Sequence, residues 1–408
     1  MDQSKLLATQ LQRRDPAAWT AILRRYLGVE DVVVTAVSAQ PVRRTSFRSR
    51  VTRYLLAFDD CTDPITLIGK RTTLKEVCFY QNLSDRLPGV APRCYFQHEA
   101  KDGKRGWVAL DDVPDQIPPQ KWAAADLEIL TGTLADLHAG FWGREEVLQA
   151  EGAPWLIGGR QYTWAELKAE HPVYFVEGPG AILSEHAIER SGNLAPVLLK
   201  AANGLAVMRA LNGWPGILGE THLTIAADLL DDPVPMLEPL RRLPPTLLHG
   251  AAHPYHWRAT LFDDMRLLDW QQICIGPGVF DLVNFLEQFP VLYEDDGRAQ
   301  MILRTEWPIS EETIIDNYIL ALSQRLGSDF DGRALRQALP AARCLQILSN
   351  WFVFFANWFD DMPDLYTWQR VNRMSEAELQ GTRFAPMAQY RPYLTAVFQR
   401  FLKAYRSL

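Results

Sequence analysis

Short β-rich runs are concentrated in the first part of the chain, and this limits the folds that it can adopt. Most of them lie before residue 112, whereas spacings of three and four between apolar residues dominate afterwards. Alternating apolar residues predict strands, and spacings of three and four predict helices. A run of strands followed by a run of helices is typical of α+β proteins. We therefore predict an α+β fold with a small N-terminal part, residues 1–112, and a large helical part, residues 113–408.

Individual elements follow from the same periodicities and from turn residues. In the small part, one helix is predicted over residues 4–27. Three strands, a helix that ends before Pro88-Gly89 and a hairpin are predicted at residues 32–34, 51–58, 65–68, 74–87, 93–98 and 107–110. In the large part, we predict helices at residues 123–141, 277–289, 310–325, 333–359 and 387–405, a hairpin at 261–270, and mixed helix and loop at 143–245.

Composition and charge exclude several classes of protein. The 408 residues are 48% hydrophobic and 22% charged, and the formal net charge is -7. Such a chain does not offer the basic surface that a nucleic acid or an anionic membrane needs. The five cysteines form no CxxC pair, the first residues lack an apolar signal segment, and the apolar run 351–359 is too short to span a bilayer. We expect a cytoplasmic protein with reduced thiols, no nucleic-acid or membrane partner and an oligomeric state that the sequence leaves open.

Three motifs stand in a fixed order in the large part. They are LLHGAAHPYH at residues 247–256, LDW at 268–270 and GPGVFD at 276–281. Together they resemble the aminoglycoside phosphotransferase family, and within it the choline- and ecdysteroid-kinase-like members. The family pattern is L-x-H-G-D-x-H-x-x-N, a hairpin, [LI]-D-[WF], then G-x-x-x-x-D. Lys70, Glu76 and the segment 134–142 also match. The resemblance implies a bilobal protein-kinase-like fold that uses ATP and Mg²⁺ to phosphorylate the hydroxyl of a small-molecule acceptor.

The resemblance assigns a role to each matching residue. Phosphoryl transfer requires that the phosphates be held in line while their negative charge is neutralised. Lys70 would contact the α- and β-phosphates and would be oriented by Glu76. Asp269 and His256 would hold metal ions, with His256 in place of the family's asparagine. Asp281 would fix the loop that carries the catalytic residues.

Other nucleotide contacts are implied with less local sequence signal. Leu110, Asp111 and Val113 match the family's hinge strand, so their backbone groups would face an adenine. Ser46 lies in the segment 43–48, where a glycine-rich loop would cover the phosphates in other kinases. The adenine and phosphate contacts complete the predicted ATP site.

One residue departs seriously from the family pattern. Ala251 stands where the family has the aspartate that accepts the proton of the substrate hydroxyl. A general base contributes about 10²–10⁴-fold to a rate, so its loss weakens transfer without abolishing nucleotide binding. His249 is interpreted as holding the loop by hydrogen bonds. His253 is interpreted in the same way, with replacement of the missing base as its alternative role.

Several functions remain open at this point. In the first alternative, the chain is a kinase, and Ala251 is either an inactivating substitution or a natural residue with weakened or altered chemistry. Alternatively, it is a pseudokinase, a nucleotide- or metabolite-binding module that transfers no phosphate. A third alternative is a kinase-fold enzyme that has acquired another reaction.

A purely structural role is expected for two further features, a histidine and an aromatic run. His138 on an apolar helix face is expected to be a core histidine. The aromatic residues of the run 351–359 are expected to be mostly core, although one or two of the rings could line an acceptor pocket for a cation. The acceptor pocket itself is expected from residues 143–245 and the last helices.

Overall fold

The protein divides into two compact units in the computed structural model. Unit 1 comprises Met1–Gly140, Glu146–Ala153 and Tyr255–Ile273, and unit 2 comprises Phe141–Glu145, Pro154–Pro254 and Cys274–Leu408. The structure describes residues 3–42, 51–59, 63–100, 103–170, 183–261, 264–295, 299–304, 306–359, 364–380, 382 and 384–408. The predicted boundary after residue 112 coincides with neither unit, because the helix and the hairpin that follow later in the chain belong to unit 1. The division into a nucleotide-binding part, residues 1–112, and a helical part, residues 113–408, stays a prediction.

An antiparallel sheet of five strands forms the centre of unit 1. Its order is β1-β2-β3-β5-β4. The strands are β1 (Val34–Pro41), β2 (Val51–Phe58), β3 (Ile65–Thr73), β4 (Cys94–Glu99) and β5 (Arg105–Asp111). Side chains alternate between the two faces of a strand. In β3, Leu67 and Gly69 therefore face one side, and Lys70 and Thr72 lie buried at alternate positions on the other.

Two helices cover the first face of this sheet. They are α1 (Gln3–Gln12) and α2 (Pro16–Leu27). Trp19 is fully buried between α2 and the sheet, 4.9 Å from the ring of Tyr54. The prediction of one continuous helix over residues 4–27 was wrong, because Asp15 caps the second helix through its side chain and Pro16 occupies its first position. These are the residues that helix starts prefer.

The helical segment after β3 changes its winding along its length. It begins as α3 (Leu74–Cys78), widens to a π-helical turn over Phe79–Leu83 and ends as a 3-10 turn over Ser84–Arg86. The predicted helix over residues 74–87 is therefore helical throughout but not regular. Wide π turns inside helices occur often at functional sites.

Unit 1 is completed by helical elements and a second hairpin. The elements are α4 (Ala124–Gly140), α5 (Glu145–Ala150), β7 (Trp257–Ala259) and β8 (Met265–Leu267). The amides of Gln116 and Ile117 both donate to the carbonyl of Ala259 at 3.2 Å, so the hairpin is attached to the segment after β5. The predicted hairpin at 261–270 is thus present, with its strands nearer to residues 257 and 267.

Unit 2 is mostly helical. Its helices are α6 (Trp164–Glu170), α7 (Glu185–Ser191), α8 (Ala195–Ala210), α9 (Glu220–Asp231), α10 (Val234–Arg241), α11 (Val279–Gln288), α12 (Glu311–Leu326), α13 (Gly332–Ile347), α14 (Val353–Trp358), α15 (Leu365–Arg373), α16 (Glu376–Leu379) and α17 (Ala385–Tyr405). Two antiparallel strand pairs accompany them: β6 (Pro245–Leu248) with β9 (Cys274–Pro277), and β10 (Val291–Asp295) with β11 (Ala299–Leu303). The α+β class, with a sheet-containing N-terminal part and a mostly helical remainder, is confirmed.

Within the residues that the structure describes, one helical run is long and apolar enough to be compared with a membrane span. It covers Gly332–Trp358, and 61% of its most apolar window is buried inside the structure. A buried core helix has the same length and composition. Phe352 and Phe355, which lie in this run, are fully buried within unit 2.

Candidate nucleotide and metal site

A buried ion pair joins β3 to α3. The Nζ of Lys70 lies 2.9 Å from Oε1 of Glu76 and 2.7 Å from its Oε2. Lys70 is 7% exposed and Glu76 is fully buried. A lysine and a glutamate are seldom buried unless they are paired. The pairing implied by the sequence resemblance is therefore present in this structure.

Two further hydrogen bonds fix the carboxylate of Glu76, and a ring stack holds one of the donors. The hydroxyl of Thr72 donates to its Oε2. The backbone N–H of Trp270 donates to its Oε1 at 3.2 Å. The ring of Trp270 stacks on that of Phe79, with centroids 3.9 Å apart and planes 6° apart. Glu76 thus connects the strand, the helix and the segment after the second hairpin within unit 1.

Asp269 holds its carboxylate toward the same lysine. Its Oδ1 accepts from Nζ of Lys70 at 2.7 Å, and its Oδ2 lies 3.5 Å from Nε2 of His256. The backbone of Asp269 is left-handed, with φ +67°. Non-glycine residues seldom adopt this conformation, although aspartate does so more often than most, and such residues cluster at functional sites. The unusual backbone aims the carboxylate at Lys70 while Trp270 reaches Glu76.

The two carboxylates determine the charge of Lys70. Burial alone would lower the pKa of this amine, but Glu76 and Asp269 outweigh burial and raise its pKa above the usual value. The amine is therefore a cation at neutral pH. A fixed, desolvated cation beside an exposed carboxylate is suited to binding phosphate groups together with a metal.

The donor atoms at this place fit a magnesium ion that arrives with a nucleotide. The side chain of Asp269 is 35% exposed and that of His256 is 20% exposed, so both have access to solvent. Among the described residues, no group of three or more His, Cys, Asp or Glu side chains could hold a metal by itself. Magnesium is usually bound by one or two carboxylates together with substrate phosphates and water. Asp269 supplies one such carboxylate, and the imidazole of His256 lies 3.5 Å from it.

The three residues predicted to form the hinge, Leu110, Asp111 and Val113, lie at the end of β5 and shortly after it. Leu110 is buried and pairs with Ile68 of β3. The backbone N–H of Asp111 donates to the carbonyl of Arg93 at 2.9 Å, and its carboxylate accepts from the hydroxyl of Tyr95 at 2.7 Å. Both groups of Asp111 are thus engaged within the protein. The backbone carbonyl of Asp111 and the half-buried Val113 are left as candidates to face an adenine.

Asp111 also affects the titration of its neighbour. Burial and the hydrogen bond to Asp111 both raise the pKa of the Tyr95 hydroxyl. Tyr95 therefore stays a neutral donor to this carboxylate.

Ser46 and the segment 43–48, predicted to cover the phosphates, lie outside the described residues.

In unit 2, Asp281 fixes the loop that carries Ala251. Its Oδ2 accepts from the backbone N–H of His249 at 2.6 Å, and its Oδ1 accepts from that of Gly250 at 2.9 Å. Asp281 and His249 are fully buried. The N–H of Ala251 points at Nδ1 of His249 at 3.3 Å, and the N–H of His253 donates to the carbonyl of Ala251 at 2.8 Å. These contacts support a structural role for His249 and show the backbone of His253 closing the turn.

Replacement of Asp281 is expected to destabilise the protein strongly. Asp281→Asn leaves one oxygen for two buried N–H donors, and hydrogen bonds to a charged group contribute about 1.5–3 kcal/mol each. We expect a loss of about 2–4 kcal/mol in the free energy of unfolding, measured by urea denaturation.

Asp331 provides the matched control. Its carboxylate also accepts from two backbone amides, those of Arg333 and Ala334, but at the exposed start of α13. Asparagine caps helices about as well as aspartate, so Asp331→Asn should change the free energy of unfolding by only a few tenths of a kcal/mol. Equal losses in the two variants would show that Asp281 does not fix the loop.

Two sets of residues outside this site were predicted to be buried in the core. His138 is fully buried on α4, as expected for a core histidine. Of the aromatic run 351–359, three rings are buried and three are half-buried; the half-buried rings are those of Trp351, Phe354 and Trp358. The expectation that this run is mostly core is therefore met only for half of its rings.

Comparison with known proteins finds similarity in structure alone. No protein-family model matches the chain, and no curated protein does. An amicoumacin kinase of known structure is 12% identical, with a TM-score of 0.45 over 92% of this chain and 92% of that chain. A choline kinase from Cryptosporidium parvum is 9% identical, with a TM-score of 0.45 over 91% and 89%. A macrolide 2'-phosphotransferase from Brachybacterium faecium is 13% identical, with a TM-score of 0.38 over 84% and 97%.

These solved structures are phosphotransferases of the kind that the sequence motifs resemble. The chain is similar to them over most of its length and theirs. Because the identities and TM-scores are low, the function proposed for this chain rests on its own residues.

Proposed function

We propose that this protein binds ATP with Mg²⁺ and belongs to the phosphotransferases that act on the hydroxyl of a small molecule in the cytoplasm. The observation that carries the proposal is the buried Lys70–Glu76 pair with Asp269 2.7 Å from the same amine. A buried cation of this kind needs fixed partners, and the partners here are the two carboxylates to which the sequence resemblance assigns roles in phosphoryl transfer. The motif order around Ala251 and Asp281 supports the same function.

Different residues would bind the phosphates, the metal ion and the base of the nucleotide. Lys70 would donate to phosphate oxygens. Glu76 would keep the amine of Lys70 in place when the carboxylate of Asp269 leaves that amine to bind the metal ion of the nucleotide. Asp269 and His256 would hold the metal ion, which supplies positive charge to the phosphates. The backbone carbonyl of Asp111 and the backbone of Val113 would receive the base.

Ala251 limits the reaction that this chain could perform. A methyl group neither accepts a proton nor orients an alcohol, so we propose that phosphate transfer is weak or absent in this chain. His253 would replace the base through its imidazole. Its backbone N–H donates to the carbonyl of Ala251 and closes the turn there.

A second candidate function is a pseudokinase, which binds a nucleotide or metabolite without transfer. Ala251 favours it, and so does the intact geometry around Lys70. The two candidates share nucleotide binding and differ only in whether restoring a carboxylate restores transfer.

Binding of Mg²⁺ with AMP-PNP, followed by titration calorimetry on the full chain, tests what both candidates share. We expect binding that is stronger with Mg²⁺ than with EDTA. Asp269→Asn should remove the metal-dependent part, at least about tenfold in affinity, because it removes a charged ligand for a hard cation.

Asp264→Asn is the control for this experiment. Asp264 lies in the hairpin that precedes Asp269, its side chain has a similar exposure of 38%, and it pairs with Arg266. The control should bind like the parent protein. Absence of nucleotide binding in the parent overturns both candidates, and equal metal dependence in the two variants overturns the role of Asp269.

A further inference from the structure

A cavity lies on the opposite face of the sheet from Lys70. It has a volume of about 240 Å³ and lies entirely within unit 1. Its lining residues are Gln12, Arg71, His98, Ala100, Arg105, Gly106 and Trp107. No residue of the proposed nucleotide site is among them.

Strand register places the main lining residues in one row. Arg71 of β3 pairs with Trp107 of β5, and Trp107 pairs with His98 of β4. Side chains directly across neighbouring strands share a face. Arg71 follows Lys70 in β3, so the two cations emerge on opposite faces of the sheet.

The first helix closes one side of this row. Oε1 of Gln12, the last residue of α1, accepts from the guanidinium of Arg71 at 3.4 Å. Near the start of the same helix, the hydroxyl of Ser4 lies 2.9 Å from Nδ1 of His98. Trp107, which is 4% exposed, forms an apolar floor. The row is therefore a groove that is open to solvent on one side, with Arg71 and Arg105 exposed at its rim.

The polar lining is basic in a chain whose net charge is -7. It contains two arginines and one histidine, and no carboxylate lies among the described lining residues. Within the part of the chain that the structure describes, the guanidinium of Arg71 contacts the neutral amide of Gln12. Arg105 is a diagonal neighbour of Arg71 on the adjacent strand, a separation of roughly 7–8 Å. A guanidinium fork matches carboxylate and phosphate groups, which accept two parallel hydrogen bonds from it.

We propose that this cavity binds a small anion that carries a phosphate or carboxylate group. Arg71 supplies the principal contact, His98 and Arg105 supply further donors, and Trp107 packs against the body of the ligand. The site is independent of the proposed nucleotide site, because it uses the other face of the sheet.

Calorimetric titration with sodium phosphate, and separately with sodium citrate, tests the proposal against sodium chloride at equal ionic strength. Arg71→Gln should weaken binding at least about tenfold, because it removes a charge-assisted, two-point contact. Arg25→Gln is the control, since Arg25 is an exposed arginine on α2 outside the cavity. It should bind like the parent protein. His98→Gln gives a second variant that should weaken binding without altering a charge on β3.

Each outcome decides something. Saturable binding of one anion identifies its class, and binding of both identifies a general anion site. The proposal is overturned if neither anion binds, if chloride reproduces the effect, or if binding is unchanged in Arg71→Gln. Thermal unfolding of each variant verifies that it is folded. The result is independent of whether AMP-PNP binds.

Discussion

Ala251→Asp is expected to raise ATP hydrolysis, and phosphate transfer once an acceptor is known, by about 10²–10⁴-fold over the parent chain. This is the contribution of a general base to a rate. The backbone at this position is already held, since Asp281 accepts from the two preceding amides. Ala251 is half-buried, so a short carboxylate can be accommodated without unpacking the loop.

Ala251→Asn separates the chemistry of the carboxylate from its size. Asparagine has the shape of aspartate but does not act as a base at neutral pH. We expect no gain in hydrolysis from it. Release of inorganic phosphate from Mg-ATP, measured with the two variants and the parent side by side, gives the comparison.

The result distinguishes the two candidate functions. A gain in Ala251→Asp alone shows a phosphotransferase that lacks only its base. Nucleotide binding with no gain in either variant favours the pseudokinase. Equal gains in both variants would contradict a role for the base at this position.

The order of elements and the central ion pair could be predicted from the sequence because their signals are local or tied to motifs. Lys70 follows the apolar run at residues 65–68, although β3 continues to Thr73, and Glu76 follows six residues later in a helix. Asp269 is found through its distance from the motif at residue 249. The structure brings Lys70, Glu76 and Asp269 together. The remaining roles assigned from the sequence stay predictions.

Other contacts had no such signal. The N–H of Trp270 reaches Glu76 across 194 residues. A backbone amide carries no side-chain signature, so only the folded structure reveals this contact. The hydroxyl of Thr72 is different, because it lies four residues before Glu76 and could have been proposed as its partner.

Two errors in the elements have physical causes. The break between α1 and α2 was signalled by Asp15-Pro16, but the apolar spacing continues across it and predicted a single helix. The first strand runs over Val34–Pro41 instead of residues 32–34. Most of this strand is exposed or half-buried at an edge of the sheet, so its apolar alternation is weak.

Lys70→Met is expected to reduce the free energy of unfolding by about 3–5 kcal/mol, because it removes one partner of a buried ion pair and leaves the other uncompensated. Glu76 is fully buried, and the cation of Lys70 is its counter-charge. Methionine keeps most of the apolar stem, so the loss reports on charge and not on a cavity. Urea denaturation at pH 7 measures it.

Arg53→Met is the matched control at the surface. Arg53 also forms a two-point contact with a carboxylate, that of Asp112, but its side chain is 48% exposed. Exposed pairs contribute about 0–1 kcal/mol. A loss in Lys70→Met no larger than in Arg53→Met would contradict the account of a buried, mutually dependent pair.

The pH dependence follows from the direction of the Lys70 pKa. Its pKa is raised above the usual value of 10.5, so the contribution of the cation is complete below 10.5 and is lost only as the pH rises through the raised value. The difference between the parent and the double variant Lys70→Met/Glu76→Gln, in which no buried Glu76 carboxylate can take up a proton, should therefore be the same at pH 6 and at pH 9. A difference that falls over this range would show that the amine loses its proton inside the protein.

The double variant Lys70→Met/Glu76→Gln separates stability from function. Neutralising Glu76 removes the uncompensated charge while an amide oxygen can still accept from Trp270, so part of the lost stability should return. Nucleotide affinity should not return. It should stay about 10- to 100-fold below that of the parent, the value of one hydrogen bond to a charged group. Recovery of both properties together would mean that Lys70 serves only the fold, and the proposed nucleotide site would then lack its central cation.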